Sequence, residues 1–461
     1  MTPAQIDRLI ESVSRSLAID SDPPWLTFAQ APSLADGYPY RTHEQHRQIR
    51  DMMRWYALHH PFAAAAIEVR CSYVIGSGHS YRVVPRSDVS VDARDLARAL
   101  DELHRWMDRD RWMIRQREIQ YRLDRDGEVF LRLFEADGQV SVRLIEPEHV
   151  VPPQGAGPQD AYGVRVSAID AETVEGYWIA RPPASLGTLV GTPELIPADQ
   201  VQHRKANVDR LAPRGLPVLW PCRESLRRSW QILRAMSTVA SIQASVAAVV
   251  RRAMGQSITP WVQPGSPGTG KDAEGRTYQH LPPGAIMHLA PGEEWDAPAN
   301  RIDVANYVAA VQAELRAVAA RLCMPEYMLS GDASNANYAS TMVAEGPAVK
   351  MFERLQSEMI WYDVEIFTRV LRAAERAGRL PAGLTDVVRI EAEPPMVMSR
   401  NRLMEAQADQ VLLSMGVVSR ETVAARHGYD WSIERERIEA EGGPAGGGSP
   451  SGDGLIPPLD G

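Results

Sequence analysis

The 461-residue sequence predicts an α+β fold that is mainly helical, and three observations carry that reading. Apolar residues recur at helical spacing in long runs near 222–254, 302–322 and 341–377. Runs rich in β-branched and aromatic residues, bounded by turn signals, gather mainly at about 128–180 and 257–289. With 44% hydrophobic and 24% charged residues the chain can bury sizeable cores, and its length suggests about three packed units at roughly 150 residues each.

Residues 1–44 read as an N-terminal arm: a short helical start, then a stretch broken by Pro23, Pro24, Pro32 and Pro39. Thr42 is a good N-cap for a helix that Pro61 ends after His59. A second helix starts near Pro61 and runs into the turn Ile75-Gly76-Ser77-Gly78 before a strand at Tyr81–Val84. One helix is expected over 92–121. Strands are expected at Glu128–Phe134 and Val140–Ile145, joined by the hairpin signal Asp137-Gly138, and again at Gly163–Ser167 and Val174–Ala180. Residues 45–210 therefore read as one α+β domain on an antiparallel sheet.

From Cys222 to Met254 the apolar positions Leu226, Trp230, Leu233, Met236, Val239, Ile242, Val246 and Val249 keep a helix period. A helix over that span is roughly 50 Å long. Its flanking segments set the unit at 211–255. Residues 256–299 are rich in Pro and Gly yet keep β-prone pieces at Ser257–Val262 and Ala285–Leu289, which reads as a small folded insert. The unit 300–323 holds an Ala-rich helix at 302–322, with Asp303 and Arg321 placed as the helix dipole favours. Within 324–340, residues 331–340 (GDASNANYAS) form a loop. A long helix from about Thr341 to Ala377 follows, with a kink expected at Gly346-Pro347, and Val387–Glu391 is strand-like; together these make 341–394. Helices at 399–415 and 419–427 fill 395–441, and 442–461, with eight Gly and four Pro, reads as a flexible tail.

Several function classes lose support. The net charge of −9 disfavours a protein that holds nucleic acid by bulk attraction. Three distant cysteines make neither a disulfide scaffold nor a CxxC module, and fit a reducing compartment. The first residues lack the apolar stretch of a secretory signal. The uncharged run between Arg234 and Arg251 is too short and too polar to span a bilayer, which needs roughly 20 residues, so no membrane association is expected. His43 and His46, three apart, and the adjacent His59-His60 lack the further ligands of a zinc site, so no metal or other cofactor is expected. There is no GxSxG, and Gly76-Ser77-Gly78 has neither the GxGxxG spacing nor a P-loop lysine. No catalytic set emerges, and the chain does not read as an enzyme. The arginines at 223–234 and Arg251-Arg252 suit either phosphates or acidic neighbours on a packed helix, and the residues alone leave both readings open.

The order of these parts, with several local strings over about 45–440, resembles the portal proteins of tailed bacteriophages and prophages. HHPFAAAAIEVRCSYVIGSG (59–78) is similar to the family's wing helix with its G-x-G turn. Asp126-Gly127-Glu128-Val129-Phe130 and Leu144-Ile145-Glu146-Pro147 are similar to its GD-x-F and iEP strands, with Glu128 standing where Asp is commoner. His203 with Arg214-Gly215-Leu216-Pro217 resembles the H…RG-x-P that leads into the first stem helix. Cys323–Gly331 with Asn337-Tyr338-Ala339-Ser340 resembles the segment at the tunnel loop, and Met415–Ser419 with Gly428-Tyr429-Asp430 a C-terminal string.

The resemblance implies a wing (45–210, with the long helix and return of 341–394), a stem (211–255 and 300–323), a short clip (256–299), a tunnel loop (331–340) and a crown-like C-terminal part (395–441). It also implies a homo-oligomeric ring, usually of twelve subunits, at the portal vertex of a virion, assembled in the host cytoplasm. Double-stranded DNA would pass without sequence recognition; terminase, the head-tail adaptor and the major capsid protein would be partners. Asp332, Asn335, Asn337 and Tyr338 would line the channel, with Arg251 and Arg252 as candidate phosphate contacts in the stem. A competing expectation is a hydrolase or nuclease of phage head maturation, which would need the clustered catalytic groups that the sequence does not show.

Overall fold

A computed structural model describes residues 40, 42–86, 89–170, 172–180, 192–251, 268–271, 277–280, 285–289, 304–332, 338–397, 402–427, 429 and 431–441. The Pro-rich arm before Tyr40, the strand expected at 257–262, Arg252, Asn335, Asn337 and the tail 442–461 lie outside the described residues.

The first elements follow their sequence signals. Helix α1 is His43–His59, and the Thr42 hydroxyl accepts from the Gln45 amide at 3.2 Å, the N-cap expected from the sequence. Helix α2 is Pro61–Ile75, followed through Gly76 and Gly78, both at positive φ, by strand β1, Ser80–Pro85. The helix expected over 92–121 is two helices. Helix α3 (Ala93–Asp110) starts on an Asp92 cap and stops where Arg111 turns left-handed, and α4 (Trp112–Asp126) starts afresh. Helical spacing continues across that break, so periodicity could not reveal a single residue with φ of 50°.

Strands β2 (Glu128–Ala136) and β3 (Gln139–Ile145) form the expected hairpin, with Asp137 and Gly138 both at positive φ as a type I′ turn requires. Strands β4 (Val164–Val166), β5 (Val174–Ile179) and β6 (Glu194–Pro197) make an antiparallel sheet. Strand β7 (Val201–Lys205) pairs with β2, so the strands of 128–205 form two three-stranded sheets instead of one.

Helix α5 covers Arg223–Ser245, and there the sequence expectation needs correction. The chain leaves the helix nine residues early and continues as strand β8, Val246–Arg251. Val246-Ala-Ala-Val-Val suits a strand as well as a helix. The decision comes from a partner: β8 pairs in parallel with β11 (Ala285–Leu289), about 35 residues on. Between them β9 (Gly268–Lys271) and β10 (Thr277–His280) pair antiparallel. Helix α6 is Val304–Arg321, α7 the short Tyr327–Ser330, and α8 Tyr338–Arg376, with Pro347 inside it. A one-turn helix α9 (Leu384–Val387) leads into β12 (Val388–Glu393), which pairs antiparallel with β1. Helices α10 (Arg402–Ser414) and α11 (Arg420–Arg426) match expectation; α12 (Trp431–Ala440) was not anticipated.

The chain divides into two compact units. The first comprises residues up to Val69, Tyr121–Leu131 and Leu144–Ala348. Its sheet core is Phe130, Val150, Val164, Tyr177 and Val201. The second comprises Arg70–Gln120, Arg132–Arg143 and the chain from Val349. Its centre is aromatic: Tyr81, Trp106 and Trp112 set their rings edge-on against Phe367, within 5.7 Å. The buried Asp363 carboxylate accepts from the Tyr81 hydroxyl and the Gln116 amide, each at 2.6 Å.

Candidate functional site

Within the first unit, the strings read separately along the sequence meet in one buried polar joint. Its centre is Glu128 at the start of β2 and Arg214 on the loop that leads to α5, both fully buried. Arg214 Nε lies 2.9 Å from both Glu128 oxygens and Nη2 2.6 Å from Oε1. The remaining guanidinium N–H groups donate to the carbonyls of Pro147, Val150 and Tyr162 at 2.9–3.1 Å. A buried ion pair is tolerable only when its lone pairs and protons are satisfied in this way.

Two further contacts complete Glu128. His203 of β7 donates from Nε2 at 3.2 Å while its ring stacks on Phe130 at 4.0 Å. The Gly215 amide donates to Oε2 at 3.2 Å, and Gly215 offers its carbonyl to His46 Nε2 at 2.8 Å. Burial by itself would raise the Glu128 carboxyl; the charge of Arg214 and the His203 hydrogen bond hold it well below the usual carboxylate range. Burial pushes His203 and His46 down to about 4, so both are neutral near pH 7.

The two glycines of the strings are needed for close approach. The Ala206 amide donates to the Gly127 carbonyl at 2.8 Å, and a Cβ on Gly127 would sit 2.1 Å from the Leu216 carbonyl carbon. A Cβ on Gly215 would sit 1.9 Å from the Gly127 oxygen. Next to them Arg54 of α1 holds Asp126 by two hydrogen bonds of 2.7 and 2.8 Å, reaches Glu146 at 3.3 Å and pairs with Glu148. Arg125 also clasps Asp126, and Arg122 clasps Glu146 at 2.7 Å. Asp126, Gly127 and Glu128 are thus used one after another. Sequence reading found the strings but not their meeting, because Glu128 and Arg214 stand 86 residues apart.

Past the joint, Trp220–Cys222 forms a tight turn into α5, which packs against α6. His60 Nε2 donates to the Leu226 carbonyl at 3.0 Å and its ring lies 5.3 Å from that of Trp230. The histidines weighed for a metal are thus spent in part on backbone carbonyls. Among the described residues no group of three or more His, Cys, Asp or Glu is placed to hold a metal ion. No described helix is long and apolar enough to cross a membrane.

The open question of the arginines at 223–234 is answered for two of them. Arg228 reaches across to Glu314 of α6 at 2.7 and 3.1 Å, and Arg227 pairs with Glu224 at 2.9 Å. Acidic neighbours hold them. Helix α6 turns Val311, Leu315 and Val318 inward, while Ala309, Ala313, Ala317 and Ala320 are exposed. On α5, no residue from Gln231 to Ala240 is fully buried, although Leu233, Met236 and Val239 continue the apolar stripe.

The loop candidates are only partly on view. Gly331 ends α7 in the left-handed region, and the Asp332 amide donates to the Ser330 hydroxyl at 3.3 Å. Tyr338 opens α8 and so belongs to the helix, three residues before the expected start. Helix formation there extends through Ala339-Ser340, which a loop reading had absorbed. Arg251 closes β8.

No curated protein matches the chain. Among solved structures it is similar to a chain in the virion of the native gene transfer agent (GTA) particle, with 14% identity, covering 88% of this chain and 97% of that one, at a TM-score of 0.38. It is likewise similar to chains in the neck of the empty GTA particle computed with C6 symmetry (15% identity, 83% and 94% covered, TM-score 0.40) and of the native particle computed with C12 symmetry (14%, 83% and 94%, 0.35). The family profile "Phage portal protein, lambda family" matches residues 37–356, which takes in the whole joint, the α5–α6 pair and the first half of α8. That match spans more than half of the sequence, and the chain belongs to the lambda family of phage portal proteins.

Proposed function

We propose that the chain forms a closed homo-oligomeric ring, of twelve subunits, at one capsid vertex, and that double-stranded DNA passes through its axis during packaging and ejection. The observation that carries this is the family match over residues 37–356. The stem supports it physically. A helix pair that leaves the α5 stripe half-buried and the α6 alanines bare is suited to packing against further copies, and heterologous contacts closed by rotation make rings. Twelve subunits of charge −9 carry roughly −108, a wall along which a polyanion slides instead of sticking.

In this reading Asp332, Asn335, Asn337 and Tyr338 face the channel and meet phosphates without reading sequence. Arg251 and Arg252 are further phosphate contacts, at the stem end next to the clip. The clip 256–299 docks terminase and later the head-tail adaptor, and the wing faces the major capsid protein. The test is DNA packaging in a particle-forming system from which this gene has been deleted. Restoring the chain should restore DNA-filled particles, and the variant with Asn335→Lys and Asn337→Lys should package slowly and in a salt-dependent way, because added cations hold phosphates through counterion release. Filled particles without the chain would overturn the reading; unchanged packaging by the lysine variant at low salt would overturn the placement of the loop.

A further inference from the structure

Beside the joint, α1 carries a cation that lacks the hydrogen bonds Arg214 enjoys. Arg50 is fully buried, and its Nε, Nη1 and Nη2 have no hydrogen-bond partner among the described residues. Its countercharge is Glu148, whose Oε1 lies 3.5 Å from Nε, an ion pair but not a hydrogen bond. That carboxylate is already held by Arg54. Each buried N–H of a guanidinium left without an acceptor costs free energy, so the fold must supply one.

The same face of α1 offers the complement. His46 stands four residues before Arg50, and a long helical side chain leans toward the helix N-terminus, which carries the guanidinium toward that ring. His46 spends its Nε2 proton on the Gly215 carbonyl at 2.8 Å, so in the neutral ring Nδ1 is a lone pair. That Nδ1 is buried and has no partner either, and neither has Nδ1 of His43, one turn further back. Both rings are near enough to Arg50 to feel its charge. One side chain thus has donors to spare and its neighbour an acceptor. An anion would meet the donors and confront the His46 lone pair, and a cation would do the reverse. Water serves both, and a buried water makes about three hydrogen bonds to groups otherwise left unpaired.

We propose that an internal water site lies between Arg50 and His46, the water accepting from the guanidinium and donating to His46 Nδ1, with His43 as the next member of the network. Through the His46 ring the water links Arg50 to Gly215, and α1 is held to the joint at a second point besides Arg54. The site is independent of the channel reading and stands or falls without it.

The test is a density map of the full-length protein, by crystallography or electron microscopy, at a resolution that shows ordered water. The site predicts one rounded peak at about 2.7–3.2 Å from an Arg50 nitrogen and from His46 Nδ1. In Arg50→Met, an apolar chain in place of the guanidinium, the peak should be lost while the bond from His46 to Gly215 persists. An unchanged peak in that variant overturns the proposal. So does a parent map in which Arg50 bonds directly to His46 or Glu148 with no peak between them. A tetrahedral peak in the same place, or a saturable rise of the thermal midpoint with inorganic phosphate that Arg50→Met lacks, makes the ligand an anion and also overturns it. The parent map decides among water, anion and direct contact by itself, so poor folding of the variant does not shelter the proposal.

Discussion

The joint and the stem lie next to each other in the chain and are built in opposite ways. In the joint, Glu128 and Arg214 are fully buried, and every guanidinium nitrogen of Arg214 has an acceptor within the same unit. In the stem, the ion pair between Arg228 and Glu314 leaves side chains 50% and 20% exposed, and ten consecutive residues of α5 include none that is fully buried. The joint is closed within the subunit, while the second half of α5 keeps its apolar stripe half-buried.

The largest expected effect comes from breaking the joint. Glu128→Ala leaves the Arg214 charge buried without its partner, a change that costs about 3–5 kcal/mol. Arg214→Lys should be nearly as damaging, because one ammonium cannot replace a fork that serves a carboxylate and three carbonyls. Gly215→Ala should fold poorly, given the 1.9 Å approach to Gly127 oxygen. Denaturant midpoints of the three variants would show this, and near-parental values would mean that the joint carries little of the stability.

Acid should act next, through His46 and His203. Both are held down to about 4 in the folded chain against an ordinary value near 6.5, so between those pH values the unfolded chain binds more protons. Stability should fall as pH is lowered from 6.5 towards 4, by up to about 3 kcal/mol for each histidine. Glu128 extends the trend below pH 4.5, because its depressed carboxyl stabilises the fold only while ionised. A flat stability profile between pH 6.5 and 4.5 would contradict the burial of these rings.

How far the sequence reveals these two regions differs for a physical reason. Signals carried by neighbouring residues were readable: the Thr42 cap, the Asp137-Gly138 turn, and the helix periods of α1, α2 and α6. Each residue of the joint was visible as part of a string, but the pairing of Glu128 with Arg214 depends on β7 and the following loop folding back. Non-local pairing also misled the reading of the stem, where Val246–Arg251 keeps a helical spacing yet becomes a strand through β11.

Smaller effects belong to the stem. Arg228→Ala should cost less than about 1 kcal/mol, and less still in high salt, because the pair is largely solvated. Ala313→Trp should change the stability of the isolated chain by only about 0.5 kcal/mol, since the residue is exposed there, yet it should prevent assembly by filling the space a neighbouring helix needs. Assembly of that variant at parental yield would show that this face of α6 meets nothing.

The most direct test of the account is a negative-stain image of the purified full-length protein. The account predicts closed rings with a central opening of about the width of a B-form duplex, roughly 20 Å, since counterion-screened DNA must slide through without being gripped. Dispersed monomers, or open chains of subunits without a central hole, would contradict it.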